Sequence, residues 1–131
     1  MGAERHWPCE DAQFRTACAS GASEALRCIE GKWKMILLSQ LFALGTLRFS
    51  ELERLVAGIT QKMLAQQLRE LERDGIVKRT VHAQVPPKVE YALTDLGHAL
   101  GPALAALLDW VERRRRSTAG HANVVAGDEA D

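Results

Sequence analysis

The sequence predicts a mainly α-helical domain with one small β-hairpin. Apolar residues recur at helical spacing between residues 22 and 74, and again after residue 94. Between these regions, from Val77 to Leu93, apolar and polar residues alternate with the period of a β-strand. The chain has 131 residues and 47% hydrophobic content, so one domain can bury a core without disulfides or metals.

Four helices are predicted before the hairpin. They cover residues 22–29, 32–44, 50–57 and 60–74, and each is followed closely by a glycine. Ser50 and Glu53 have the spacing of a capping box, and Thr60 can cap the fourth helix. The side chains predicted to face inward are Ala22, Ala25, Leu26, Ile29, Trp33, Ile36, Leu37, Leu41, Leu44, Leu52, Leu55, Val56, Leu64, Leu68 and Leu71.

The predicted hairpin consists of two runs around Pro86-Pro87, and Thr94 then caps a last helix. This order of elements is typical of a winged helix-turn-helix domain. We place that domain at residues 20–116, between a flexible N-terminal arm (1–19) and a disordered C-terminal tail (117–131). The last helix has more apolar surface than one thin domain can cover, which predicts a homodimer interface at Leu104, Leu107, Leu108, Trp110 and Val111.

Composition and motifs exclude several classes of protein. The net charge is zero, which argues against a polybasic coat, and no apolar run is long enough for a membrane helix. The N-terminus lacks a secretory signal, so we expect a cytoplasmic protein. Three cysteines, an odd number, argue against a disulfide framework, and the Cys and His spacings predict no zinc site. No catalytic motif occurs, so we expect neither an enzyme nor a cofactor.

Four motifs in order resemble the HxlR-type transcriptional regulators, which are related to the MarR-like winged-helix proteins. They are Gly31-Lys32-Trp33-Lys34, Arg48-Phe49-Ser50-Glu51-Leu52, the block from Ile59 to Gly75, and the block from Val85 to Gly97. The resemblance spans residues 18–116 and implies a bacterial or archaeal dimeric regulator that binds a palindromic operator. It also implies that the first and last helices form the dimer.

The fourth predicted helix carries the candidate recognition surface. With Leu64, Leu68 and Leu71 inward, the opposite face presents Lys62, Gln66, Arg69 and Arg73. Residues near the N-terminus of a recognition helix enter the major groove deepest, which favours Thr60, Gln61, Lys62 and Gln66 as base readers and Arg69 and Arg73 as backbone contacts. The alternative is a solvated helix face with ion pairs.

Further contacts to double-stranded DNA are predicted outside this helix. Arg79 and Lys88 lie on the hairpin that forms the wing, where Lys88 is the preferred contact, whereas solvation is the favoured interpretation for His82. Arg48 precedes the third helix and can hold a phosphate or simply be solvated, with equal weight. A winged-helix module that binds protein and not DNA is the alternative function.

Cys18 is the candidate redox sensor. Family members usually begin with a Cys-Pro pair, and some use that cysteine to sense oxidants or electrophiles. In this chain the cysteine position falls at Ser20, so Cys18 is displaced by two residues and lacks the proline. The dimer cleft can also hold a small-molecule effector, although no residue cluster identifies one.

Overall fold

The computed structural model describes residues 12–129, with the side-chain surroundings of residues 12–13 and 15–120. The elements are α1 (Ala12–Ile29), α2 (Lys32–Leu44), β1 (Leu47–Arg48), α3 (Phe49–Leu55), α4 (Gln61–Arg73), β2 (Val77–His82), β3 (Lys88–Leu93) and α5 (Asp95–Glu129). The strands form one antiparallel sheet in the order β1-β3-β2. The predicted fold class, helical with a hairpin wing, is confirmed, and β1 is an additional short strand.

Both ends differ from the sequence expectation. Residues 12–19, predicted as part of an irregular arm, belong to α1, and α5 continues through residues 117–129 of the predicted tail. Three of the eight residues from 12 to 19 are alanine, which has the highest helix propensity. A helix that is already formed also extends at little cost. The rest of the predicted arm and tail lies outside the described residues.

The core lies where α2, α3 and α4 meet the sheet. The large side chains that are fully buried are Leu37, Leu38, Leu41, Leu52, Leu64, Leu68, Leu71, Val56 and Val77. The three predicted inward leucines of α4 are among them. Leu26, Ile36, Leu44 and Leu55, predicted inward, are exposed. Ile36 lies about 100° around α2 from Leu37, whereas Leu44 and Leu55 end their helices beyond the packed region.

Helix α3 begins earlier than predicted. Its first residue is Phe49, and the Arg48 backbone N–H donates to the Glu51 carboxylate at 2.7 Å, so Ser50 is not the N-cap. Leu47 and Arg48 pair with Tyr91 and Glu90 in the sheet. This strand pairing fixes where the extended backbone ends, and the helix starts directly after it.

A compact joint connects the end of α4 to the start of α5. Gly75 has a φ of +79°, and the bond from Ile76 N–H to the Leu71 carbonyl at 3.0 Å closes α4 in a Schellman motif. The Thr94 hydroxyl donates to the Gly75 carbonyl at 2.6 Å and accepts from the Gly97 N–H at 2.9 Å. A Cβ on Gly97 would lie 2.2 Å from the Ile76 carbonyl oxygen, so only glycine fits there.

Candidate nucleic-acid interface

The outer face of α4, defined by Lys62, Gln66, Arg69 and Arg73, is exposed along its length. Its orientation is fixed because the opposite stripe of three leucines is buried. Thr60 caps the helix by accepting from the Met63 N–H at 3.1 Å, as predicted. The N-terminal amides of a helix that have no partner within it favour anions, and those that Thr60 leaves free suit this end of α4 to a phosphate group.

The predicted base readers occupy the N-terminal half of this helix. Thr60, Gln61, Lys62 and Gln66 are all exposed. The Gln61 amide donates to the Glu53 carboxylate of α3 at 3.4 Å. Arg73, predicted to contact the DNA backbone, lies 3.7 Å from Asp74 with 71% of its side chain exposed. This exposed pair contributes little to stability and leaves Arg73 able to exchange partners.

One flank of α4 contacts α2 through an ion pair between a buried lysine and a partly exposed glutamate. Lys34 Nζ lies 2.7 Å from Glu70 Oε1, and only 8% of the lysine side chain is exposed. The Gln66 amide donates to Glu70 Oε2 at 3.2 Å. The hydrogen bond from Lys34, followed by that from Gln66, holds the pKa of Glu70 below its ordinary value of 4.5.

The other flank of α4 faces the base of the wing. Arg69 and Glu72 of α4 line a notch of about 380 Å³ together with Arg79 of β2 and Tyr91 of β3. Arg79 is opposite Tyr91 in the sheet register. Two guanidinium groups from different elements therefore open onto one polar notch beside the outer face, an arrangement suited to a phosphate group.

The tip of the wing carries a network that the sequence did not predict. His82 Nε2 lies 2.7 Å from Glu90 Oε1, and Lys88 Nζ lies 3.4 Å from Glu90 Oε2. The hydrogen bond with His82, and more weakly the one with Lys88, lowers the pKa of Glu90. Lys88, the preferred wing contact, thus has an acidic neighbour. It also lines a cleft of about 300 Å³ with Arg48, so these two predicted contacts converge.

A separate apolar surface lies on the long helix α5, away from these charges. Leu107, Leu108 and Trp110 are 46%, 69% and 59% exposed, whereas Val111 is half-buried and Leu104 is buried. We call the first three the apolar face of α5. Beside it, a groove of about 370 Å³ between α2 and α5 is lined almost wholly by apolar atoms, from Met35, Ser39, Phe42, Ala43, Gly101, Leu104, Ala105 and Leu108.

The cysteines differ in state. Cys18 is disulfide-bonded, whereas Cys28 is a free thiol. The sequence argument against a disulfide framework is compatible with one bridge, because an odd number of cysteines excludes only complete pairing. Among the described residues, no cluster of His, Cys, Asp and Glu is placed to hold a metal ion. Within that same part of the chain, no helix is long and apolar enough to cross a membrane.

The Lys34–Glu70 pair was missed, although the sequence contains a signal for it. Lys34 precedes Leu37, Leu38 and Leu41 by three, four and seven residues, which places it on the buried stripe of α2. A lysine on such a stripe requires a buried partner. Nothing in the sequence indicates which acid that partner is, because the pair joins residues 36 positions apart.

A turn between α3 and α4, a polar cationic face on α4 and a following β-wing define the winged helix-turn-helix class. Solved structures share this fold. The chain aligns with the reduced form of the redox regulator HypR at a TM-score of 0.67 and 48% identity, covering 72% of this chain and 93% of HypR. It aligns with a MarR-family transcriptional regulator from Enterococcus faecalis V583 at a TM-score of 0.72 and 41% identity, covering 87% and 97%.

The family assignment follows from the sequence comparisons. The model of the HxlR-like helix-turn-helix family matches residues 28–118. The HTH-type transcriptional regulator YdeP of Bacillus subtilis is 53% identical over 88 residues, which cover 67% of this chain and 68% of YdeP. The chain belongs to the HxlR family of transcriptional regulators, and the predicted resemblance is confirmed.

Proposed function

We propose that this regulator binds double-stranded DNA sequence-specifically, as a homodimer on an inverted-repeat operator. The observation that carries the proposal is the outer face of α4, which is exposed, cationic and held in place by buried leucines. Arginine and glutamine on such a face can read guanine and adenine edges in the major groove.

The geometry supports a division of roles among the candidate residues. Those in the first two turns of α4 read bases, because that end of a recognition helix enters the groove. The cations farther along α4, before α3 and on the wing bind phosphates. The base readers are Thr60, Gln61, Lys62 and Gln66, and the phosphate contacts are Arg48, Arg69, Arg73, Arg79 and Lys88.

A second copy of the chain would cover the apolar face of α5. Leu107, Leu108 and Trp110 expose an apolar surface that a soluble monomer rarely leaves open, and the groove beside α2 continues it. Symmetric pairing through this surface, with Leu104 and Val111 at its edges, would place two recognition helices about 34–36 Å apart in successive major grooves.

The test is a binding titration on the DNA upstream of the protein's own gene and on a shuffled duplex of equal length, at two salt concentrations. We expect a sequence preference that survives the higher salt, while overall affinity falls steeply because phosphate contacts release counterions. The double variant K62A/R69A should lose binding yet remain a folded dimer. The control variant R114A/R115A removes the same charge from α5 and should bind normally.

Equal binding to both duplexes, unchanged in K62A/R69A, would contradict DNA recognition by α4. That result favours the alternative, an interaction module that binds protein. The exposed face argues against this alternative, because protein-docking helices usually present apolar anchors and α4 presents amides and cations.

We further propose that DNA binding responds to thiol oxidation at Cys18. The support is that Cys18 is disulfide-bonded in the structure and that HypR, a similar protein, is described as a redox regulator. DNA affinity should differ between protein treated with diamide and protein reduced with a phosphine, and C18S should abolish the difference. Oxidation of Cys18 seen by mass spectrometry, without a change in affinity, would exclude this role.

A further inference from the structure

A buried lysine connects α2 to the recognition helix. Lys34 is 6% exposed and is the one charged residue among the described residues that are buried. Its Nζ lies 2.7 Å from Oε1 of Glu70. Burying an amine loses hydration free energy, and a buried pair is often no more stable than apolar side chains of the same volume. The charge of Lys34 is therefore explained better by a role in the recognition of a DNA sequence than by a gain in folding stability.

The second oxygen of Glu70 contacts a candidate base reader. Glu70 Oε2 accepts from Nε2 of Gln66 at 3.2 Å. An ionised carboxylate can only accept hydrogen bonds, so it attracts the NH₂ end of the Gln66 amide and repels the carbonyl end. Lys34 holds the Glu70 carboxylate in place from the core side. The carboxylate in turn determines that the NH₂ end of the Gln66 amide faces it.

The hydrogen-bonding groups that Gln66 has left after the bond to Glu70 match one base. After the bond to Glu70, the amide has its carbonyl oxygen and a second N–H left. Adenine presents an N6–H donor and an N7 acceptor in the major groove, which a glutamine amide contacts through this combination of one acceptor and one donor. A glutamine on a helix surface without an anchored neighbour would have to be ordered when DNA binds, which weakens discrimination.

We propose that Glu70, anchored by Lys34, is a positioning residue that sets the Gln66 amide to recognise adenine. This inference rests on the DNA binding proposed above. Glu70 is an acid and contributes no attraction to DNA, so the signature of a positioning role is lost discrimination at one base pair and not a uniform loss of affinity.

The experiment measures discrimination one base pair at a time. The wild-type chain first selects its binding duplex from a library of double-stranded DNA with a randomised central segment. Each base pair of that duplex is then replaced in turn, and affinities are measured by fluorescence anisotropy. We expect Q66A to lose about tenfold discrimination at one A·T pair in each half-site. E70A should lose most of that discrimination at the same pair, with the other positions unchanged.

Two further variants make the result specific. E72A removes an equal charge from the opposite flank of α4, near Arg69, and should keep discrimination at every position. K34M/E70M replaces the buried pair with apolar side chains, which usually preserves the fold. It should lose the same discrimination as E70A. The double variant Q66A/E70A should lose no more than Q66A alone.

The outcomes separate this inference from the proposed function. A wild-type chain that enriches no sequence overturns both. Suppose that the wild type is selective and that Q66A loses discrimination at one A·T pair. If E70A and K34M/E70M then keep full discrimination, only the positioning role is overturned. A uniform loss of affinity across all duplexes in both variants would also overturn it, because a merely structural pair predicts that pattern.

Discussion

Helices α4 and α5 are both amphipathic, but their apolar residues have different surroundings. In α4, Leu64, Leu68 and Leu71 are at most 1% exposed. In α5, Leu107 and Leu108 remain 46% and 69% exposed although they lie three and four residues after the buried Leu104. The leucine stripe of α4 is buried completely within one chain, whereas Leu107 and Leu108 of α5 remain exposed.

This difference separates the two roles that we propose for the molecule. A helix whose apolar stripe is already buried can present its polar face in a fixed orientation, which base recognition requires. A helix with an exposed apolar stripe gains stability when a second copy covers it. Substitutions of the same kind should therefore act on folding in α4 and on assembly in α5.

The largest effect is expected from L68A in the core of α4. The leucine is 1% exposed, so removal of its side chain leaves a cavity that the packed core cannot fill. We expect a loss of about 3 kcal/mol in the free energy of unfolding, measured by urea denaturation. L108A makes the same chemical change at a 69% exposed site and is the matched control. An equal loss in both variants would remove the distinction between the helices.

G97A should break the joint between the two helices. The added Cβ would lie 2.2 Å from the Ile76 carbonyl oxygen, which is backbone and cannot move aside without shifting the chain. We expect about 2 kcal/mol of destabilisation from this overpacking, seen as a lower Tm. G120A in the exposed part of α5, where a Cβ meets nothing within 4 Å, is the control and should be neutral or stabilising.

L108A/W110A tests whether the exposed apolar residues of α5 act on assembly. Both side chains are more than half exposed, so the fold of each chain should be retained while the proposed dimer is weakened. Sedimentation equilibrium should show a dissociation constant raised by about tenfold or more. A wild-type chain that sediments as a monomer at micromolar concentration would contradict the assignment of this face.

The smallest effect is expected from acid. The pKa of Glu70 is lowered in the folded protein, so the pair with Lys34 stabilises above the ordinary value of 4.5 and is lost as pH falls through the folded pKa. The stability difference between wild type and K34M should be about 1 kcal/mol near neutrality and should shrink in acid. Urea unfolding of both proteins at pH 6 and pH 3.5 measures this stability difference. A stability difference that does not change with pH would show that the charge of Glu70 contributes nothing to it.

Sequence patterns predicted the fold well where one helix or strand contains all the necessary information. The leucine spacing of α4 placed its buried and outer faces, and Thr60 and Gly75 marked its ends. The start of α3 was misplaced because it depends on strand pairing with residues 90 and 91, which no local pattern contains.

The candidate site shows the same division. The cations of the outer face follow from helical periodicity, and the alternation of apolar and polar residues placed the wing. The acids that organise them, Glu70 and Glu90, act through partners on other elements, namely Lys34 of α2 and His82 of β2. Such pairings depend on tertiary packing, so the sequence could show that Lys34 needs a partner but not which residue it is.

The joint at Thr94 has a mechanical consequence. One hydroxyl bonds to the carbonyl that follows α4 and to the amide of the first turn of α5, and the Thr94 N–H also donates to the Ile76 carbonyl at 3.0 Å. These hydrogen bonds hold the end of α4 against the start of α5, a helix of 35 residues that is roughly 50 Å long. A rotation of the first turns of α5 at this joint should therefore be accompanied by movement of the C-terminal end of α4. In the proposed dimer, the angle between the two α5 helices would then set the distance between the two α4 helices, and with it the half-site spacing of the operator.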